Sequence, residues 1–179
     1  MPKTDFLLVT ALDEERDAIL RHFSMSPCPA MHDDVRYYYR GRVLTQQYEY
    51  TLALVPLLGM GQVEAANATS DAIRQWNPRY VVLVGIAGGI ASMGVVLGDI
   101  LVSEQVVNYE LQKKRDSGSE YRWISHPVDP RLLGAARNLR AKAWQKTVAE
   151  PRPSDGLPAC RFGPIATGNK VIATEEYLT

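Results

Sequence analysis

Residues 81–90 read VVLVGIAGGI, and residues 98–103 read GDILVS. The first stretch runs from four apolar residues into a glycine-rich turn, which is typical of a strand buried on both faces of a helix-covered sheet. Glycines at the end of such a strand let the backbone approach a ligand closely. In open α/β sheets, ligands bind beyond the carboxyl ends of the strands. The stretch therefore predicts an α/β fold in which residues 85–89 form the floor of a small-molecule site.

Length and composition narrow the class of protein. The chain has 179 residues, of which 46% are hydrophobic, and we expect residues 1–179 to form a single domain with a substantial core. Lys plus Arg and Asp plus Glu both number 20, and this balance argues against a nucleic-acid partner bound through a broad basic surface. No apolar stretch approaches the roughly 20 residues that span a bilayer, and no signal peptide is visible, so no membrane partner is predicted.

Cysteines and histidines give no sign of a metal centre. Cys28 and Cys160 are far apart and lie in no metal-binding pattern, which favours a reduced, cytoplasmic protein. The three histidines also lack the spacing of metal ligands, so no metal site is predicted.

The first strand is followed at once by acidic residues. Phe6–Val9 is predicted as a short buried strand, and Thr10–Asp13 has the form of a capping box that starts a helix. The acidic residues Asp13, Glu14 and Glu15 would occupy the first helical turn, where negative charge suits the helix dipole. The dipole does not explain why a carboxylate should directly follow a buried strand, at the edge of the sheet where sites form.

Later elements alternate between strands and helices. After a loop at Ser24–Asp34, two strands are expected within residues 35–47 and 48–58. A helix at Gln62–Trp76 follows, with one apolar face formed by Val63, Ala66, Ile73 and Trp76. Backbone N–H groups at its Gly61 end suit an anion or a polar ligand.

The second half of the chain continues the alternation. We predict a central strand at Tyr80–Val84 and strands at residues 98–107 and 161–166. Residues 112–121 are expected to be an exposed loop, and Asp129 with Pro130 should start a helix. This order predicts an α/β domain with a mixed sheet.

Common cofactor motifs are missing. The dinucleotide fingerprint would need a glycine at position 87, which is alanine, and a helix directly afterwards. Neither a P-loop nor a nucleophile elbow occurs. No cofactor is therefore predicted.

Five segments match a known family in its own order. They are residues 10–15 (TALDEE), 59–66 (GMGQVEAA), 85–89 (GIAGG), 98–103 (GDILVS) and 163–172 (GPIATGNKVI). Together they resemble the nucleoside phosphorylase/nucleosidase superfamily, and most closely its methylthioadenosine/S-adenosylhomocysteine nucleosidase branch. The resemblance implies a three-layer α/β/α fold with a central mixed sheet, and cleavage of the bond between a purine and ribose.

The resemblance also implies roles for individual residues. Glu15 would activate the attacking water, and the segment Ile86, Ala87 and Gly88 would border the ribose and the nucleophile. Val171 and Ile172 would line the purine of a nucleoside or nucleotide. By analogy with the family, a homodimer or a higher homo-oligomer is expected.

Departures from the family pattern leave alternatives open. Ile86 replaces a hydroxyl-bearing residue, and Val171 replaces an aromatic one. The family's Met-Glu pair and a later Asp would lie beyond Thr179, so we expect a C-terminally incomplete family domain. We expect a purine nucleosidase as the full-length protein, and inactivity of residues 1–179 alone stays open. Hydrolysis is favoured because residues 11–15 (ALDEE) replace the arginine-bearing phosphate loop of the phosphorylases. A phosphate-dependent phosphorylase and an inactive nucleoside-binding or sensor domain remain alternatives.

Overall fold

A computed structural model describes residues 4–29, 35–110, 112–115, 118–139, 144–148, 152–153 and 156–169 of the chain. The chain divides into two compact units, Met1–Ile86 and Ala87–Thr179, called here the N-terminal and C-terminal units. The N-terminal unit contains β1 (Thr4–Thr10), α1 (Asp13–His22), β2 (Met25–Cys28), β3 (Tyr38–Leu44), β4 (Glu49–Pro56), α2 (Gln62–Trp76) and β5 (Pro78–Leu83). The C-terminal unit contains β6 (Ile100–Asn108), β7 (Gln112–Arg115), β8 (Gly118–Tyr121), β9 (Ile124–Pro127), α3 (Pro130–Arg137) and β10 (Cys160–Thr167).

The N-terminal unit is built on a five-stranded mixed sheet with the strand order β2-β3-β4-β1-β5. β1 pairs in parallel with β4 and with β5, whereas β3 runs antiparallel to β2 and to β4. Helices follow β1 and β4, so a parallel, helix-connected half is joined to an antiparallel half. The predicted α/β fold with a mixed sheet is confirmed.

Strand β5 is not the central, doubly buried strand that its apolar composition predicts. Within the described sheet it lies at one edge, beside β1. Its side chains alternate in exposure, and Val81 and Leu83 remain 40% and 71% exposed. A run of apolar residues indicates that a strand is suited to burial, but it does not determine the order of strands in a sheet.

Helix α2 has the predicted bounds but buries a different face. Ala68, Ala72 and Trp76, spaced four residues apart, are the buried residues of the helix. They pack in one cluster with Leu7, Val9, Tyr38, Ala53 and Val55 of the sheet. Val63 is 75% exposed and Ile73 is 44% exposed, so the predicted face is wrong except at Trp76. Small alanines let the helix lie close to the sheet, and large apolar side chains were a poor guide to the buried face.

A short strand in the N-terminal unit is a further difference between the sequence prediction and the structure. Part of the predicted loop at Ser24–Asp34 forms β2, which pairs with β3 over Met25–Cys28. Proline at position 27 and a length of four residues are typical of an edge strand, which is where β2 lies.

The C-terminal unit has a three-stranded sheet with the order β10-β6-β9 and a separate two-stranded hairpin of β7 and β8. The hairpin replaces the exposed loop predicted for residues 112–121. Helix α3 begins as predicted, because the Asp129 carboxylate accepts hydrogen bonds from the backbone N–H groups of Arg131 and Leu132 at 2.8 and 3.2 Å.

Asp99 is the centre of a polar cluster within the C-terminal unit. Its side chain is 3% exposed and accepts hydrogen bonds from Arg161 Nε at 2.6 Å and from the backbone N–H of Ala159 at 3.0 Å. Arg152 Nη2 lies 3.4 Å from the same carboxylate. Hydrogen bonds lower the pKa of Asp99 to about 2, and the largest contribution comes from Arg161, followed by the backbone N–H groups of Ala159 and Val96. Asp99 therefore ties the start of β6 to β10.

No helix in the described parts of the chain combines the length and the apolar character that crossing a membrane requires.

Candidate active site

Three turns meet at one end of the N-terminal sheet, beyond the carboxyl ends of its parallel strands. β4, β1 and β5 are parallel neighbours, so the turns that follow them lie at the same end. The backbone N–H of Leu57 donates to the carbonyl of Thr10 at 2.8 Å, and that of Val84 donates to the carbonyl of Val9 at 3.0 Å. This is the end of the sheet at which α/β proteins bind ligands.

Only one of the three acidic residues in the first turn of α1 is buried at this end of the sheet. Asp13 and Glu14 are exposed, and Asp13 pairs with Arg16 at 2.7 Å on the surface. Glu15 is buried, with 8% of its surface accessible. The helix dipole accounts for acids anywhere in the turn, but it does not account for the burial of this one.

Backbone N–H groups hold the Glu15 carboxylate on both oxygens. Oε2 accepts hydrogen bonds from the backbone N–H groups of Ala11 at 2.8 Å and Leu12 at 3.0 Å. Oε1 accepts one from the backbone N–H of Ile86 at 2.8 Å. A carboxylate has about four acceptor positions, and these bonds occupy three of them. The position left on Oε1 is suited to a hydrogen bond from a water molecule.

The start of α1 differs from the predicted capping box. Leu12, with extended backbone dihedrals, is the N-cap, and the Glu15 side chain receives the N–H groups that precede the helix. The Thr10 hydroxyl is buried and has no hydrogen-bond partner among the described residues. The capping function therefore belongs to the carboxylate and not to the hydroxyl, because Thr10 is still part of β1.

The backbone at Gly85 passes very close to the carboxylate. A Cβ atom placed on Gly85 would lie 2.7 Å from Glu15 Oε1 and 3.1 Å from its Cδ. The contact to Oε1 is closer than side-chain Cβ atoms make in real proteins. Position 85 must therefore be glycine for the carboxylate to lie where it does.

The other predicted site residues fall into four groups. Gly61 is the N-cap of α2, adopts φ 126°, and belongs to the turn after β4 at the same edge. Ile86 contributes its backbone N–H, whereas its side chain is 76% exposed. Ala87 and Gly88 are exposed residues at the start of the C-terminal unit. Val171 and Ile172 lie outside the described residues.

A cavity in the N-terminal unit, lined in part by the turn after β4, was not predicted. It has a volume of about 210 Å³ and is lined by Asp13, Arg16, Tyr37, Tyr39 and residues 56–58. Arg16 donates to Asp17 at 2.8 Å, and this hydrogen bond raises the pKa of the guanidinium. The lining comes from three elements that are distant in sequence, so no local motif could have indicated it.

Comparison with known proteins places the chain in a family. The phosphorylase superfamily matches residues 5–177. The chain belongs to the phosphorylase superfamily. A 5'-methylthioadenosine/S-adenosylhomocysteine nucleosidase of Oceanobacillus iheyensis is 30% identical over 169 residues, which cover 94% of this chain and 66% of that protein. The enzyme of the same name from a Marinomonas species is 33% identical over 101 residues, covering 55% of this chain and 42% of the relative.

Solved structures of the superfamily share the fold. The structure of Helicobacter pylori 5'-methylthioadenosine/S-adenosylhomocysteine nucleosidase matches 99% of this chain with a TM-score of 0.71 and 17% identity, and the match covers 69% of that structure. The chain thus spans between about two fifths and two thirds of the length of the two curated relatives named above. The resemblance seen in the sequence is confirmed at the level of family and fold.

Proposed function

We propose that the chain carries a purine nucleosidase domain that hydrolyses the N-glycosidic bond of an adenine nucleoside or nucleotide, with Glu15 activating the water. The observation that carries the proposal is the anchored Glu15 carboxylate at the ligand-binding edge of the sheet. The names of the two sequence relatives support a methylthioadenosine- or adenosylhomocysteine-type substrate.

The proposed step follows from the geometry of the carboxylate. Its oxygens are held by backbone N–H groups at 2.8, 3.0 and 2.8 Å, so the position left on Oε1 has a fixed direction. A water hydrogen-bonded there would attack C1′ of the ribose as the bond from C1′ to the purine nitrogen breaks. The water proton would pass to Glu15, and the bonding electrons would leave with the base. Anionic Glu15 would also stabilise the cationic sugar of the transition state.

The charges and side chains at the candidate site favour hydrolysis over phosphorolysis. A phosphate ion would have to approach the Glu15 carboxylate and the first-turn acids Asp13 and Glu14, and like charges repel. The exposed Ile86 side chain offers no hydroxyl to a phosphate oxygen. A neutral water molecule meets neither obstacle.

We further propose that Gly61, Ala87 and Gly88 border the substrate and that Val171 and Ile172 line the purine. The active form would be a homodimer or a higher homo-oligomer.

Base release decides between the candidate functions. The full-length protein that contains residues 1–179 is incubated with methylthioadenosine, adenosylhomocysteine, adenosine and ATP, with and without phosphate, and adenine is quantified by chromatography. We expect adenine release that does not require phosphate. Release that strictly requires phosphate would favour a phosphorylase, whereas binding without release would favour a sensor domain.

Glu15→Gln provides the test of the carboxylate. The amide keeps the size of the side chain but cannot take the water proton, so we expect base release to fall about 10²- to 10⁴-fold. Glu14→Gln is the matched control, because Glu14 is the exposed neighbour in the same helical turn. An unchanged rate in Glu15→Gln would refute the role of Glu15.

A further inference from the structure

We infer that Gly85 is a positioning residue for the reaction, because its missing Cβ leaves the space in which the Glu15 carboxylate is fixed. This inference rests on the proposed function for its catalytic consequence. Its structural part, the dependence of the carboxylate position on residue 85, stands on the contacts alone.

The contact at Gly85 is selective for one group. All three nearest atoms to a Cβ at this position belong to the Glu15 carboxyl group, at 2.7, 3.1 and 3.3 Å. They are the far end of a flexible side chain, so a methyl group would displace the carboxylate and leave the backbone in place. A substitution at Gly85 should therefore move Glu15 without unfolding the unit.

Displacement would remove a specific hydrogen bond. Oε1 is both the atom nearest to a methyl group introduced at Gly85 and the acceptor of the Ile86 N–H at 2.8 Å. The N–H groups of Ala11 and Leu12 bind the other oxygen, Oε2, at 2.8 and 3.0 Å. Loss of the Ile86 bond would let the carboxylate turn about the bonds that Oε2 retains, and the acceptor position offered to water would lose its direction.

Other glycines serve as controls. A Cβ on Gly41 of β3 would also be crowded, at 2.8 Å from Met25 Cγ and 2.9 Å from the Ser24 carbonyl oxygen, but these groups lie at the start of β2 and not at Glu15. A Cβ on Gly59 would meet no atom within 4 Å. Gly41→Ala therefore tests for general strain, and Gly59→Ala tests for the loss of glycine alone.

The first measurement does not depend on catalysis. Hydrogen exchange of the backbone N–H groups of Ala11, Leu12 and Ile86 is followed by ¹⁵N NMR in the wild-type chain, Gly85→Ala and Glu15→Gln. In the wild type we expect all three N–H groups to be protected by their bonds to the Glu15 carboxylate, and in Glu15→Gln we expect that protection to fall. In Gly85→Ala we expect Ile86 alone to lose its protection. Full protection of Ile86 in Gly85→Ala would overturn the inference.

The second measurement separates positioning from binding. We expect Gly85→Ala to lower kcat for base release about 100-fold, the scale of a misplaced catalytic group, with little change in KM. In the Glu15→Gln background, Gly85→Ala should lower kcat by less than a further factor of about two, since both changes act through one carboxylate. An undiminished loss in that background, or an equal loss of kcat in Gly41→Ala, would overturn the inference. If the full-length wild-type protein releases no base, the proposed function fails while the NMR result still decides the position of Glu15.

Discussion

In the N-terminal unit, the described hydrophobic core consists of twelve buried side chains, all between Leu7 and Trp76. In the described part of the C-terminal unit, the Asp99 side chain is nearly buried and forms ion pairs with Arg152 and Arg161. Large apolar side chains such as Trp123 and Leu97 are 72% and 73% exposed there. The described part of the N-terminal unit thus contains an apolar core, whereas the described part of the C-terminal unit contains a nearly buried carboxylate with two arginine partners. The carboxylate that the proposed chemistry requires lies in the N-terminal unit, where packing keeps its supports in place.

The largest effect should come from removing the largest core side chain. Trp76 is 5% exposed, and its ring centroid lies 5.7 Å from that of Tyr38. We expect Trp76→Ala to lower the free energy of unfolding by about 3–5 kcal/mol, through lost burial and a residual cavity. The measurement is urea denaturation followed by circular dichroism.

A tryptophan of the other unit is the matched control for this change. Trp123 is 72% exposed, and we expect Trp123→Ala to change the free energy of unfolding by no more than about 0.5 kcal/mol. Equal losses in the two variants would break the contrast between the units.

The fold was predictable from sequence where its signals are local. Helix α2 has the predicted bounds because Gly61 precedes it and Asn77 with Pro78 ends it, and these are properties of neighbouring residues. The edge position of β5 was not predictable, because strand order depends on pairing between distant segments. The buried face of α2 was missed because its alanines give a weaker hydrophobic signal than Val63 and Ile73.

An intermediate effect is expected from acid. The pKa of Asp99 is lowered to about 2 by its hydrogen bonds, against about 3.9 in an unfolded chain. A lowered pKa stabilises the fold above the unfolded value, and this contribution is lost as the pH falls through the folded value. We expect the wild type to be more stable than Asp99→Asn above about pH 5, and the difference to shrink between about pH 4 and pH 2.

Urea titrations of both proteins at several pH values measure this difference. Asp13→Asn is the control, since Asp13 is an exposed acid paired with Arg16 on the surface of α1. A difference between wild type and Asp99→Asn that stays constant down to pH 2 would show that the ionised carboxylate is not what stabilises the C-terminal unit.

The candidate site was predictable only in part. The sequence indicates Glu15 because it follows a buried strand and matches a family motif, and the structure buries this residue. Its partner could not be found, because the Ile86 group that holds it is a backbone N–H, which every residue except proline carries. The sequence drew attention to the Ile86 side chain, whereas the structure uses its amide. The need for glycine at position 85 likewise appears only once Glu15 Oε1 is placed 2.7 Å from where a Cβ would be.

The smallest effect on the free energy of unfolding should come from Thr10, a buried polar residue of the N-terminal unit. Its hydroxyl is buried without a hydrogen-bond partner among the described residues. Thr10→Val replaces the hydroxyl by a methyl group of similar shape, so we expect no loss of stability beyond about 0.5 kcal/mol, or a small gain. A loss of about 1 kcal/mol or more in urea denaturation would instead indicate that the hydroxyl caps α1 as the sequence pattern suggests.

The hydrogen bond between Glu15 and Ile86 joins residues 71 positions apart, and this separation has a consequence for folding. α1 can form early from local contacts, but its carboxylate cannot reach its final position until β4, α2 and β5 have been added beside β1. Closing so long a segment is slow compared with forming a helix. During refolding, helical signal should therefore recover before the proposed base release does, and recovery of that activity would report the last step of assembly in the N-terminal unit.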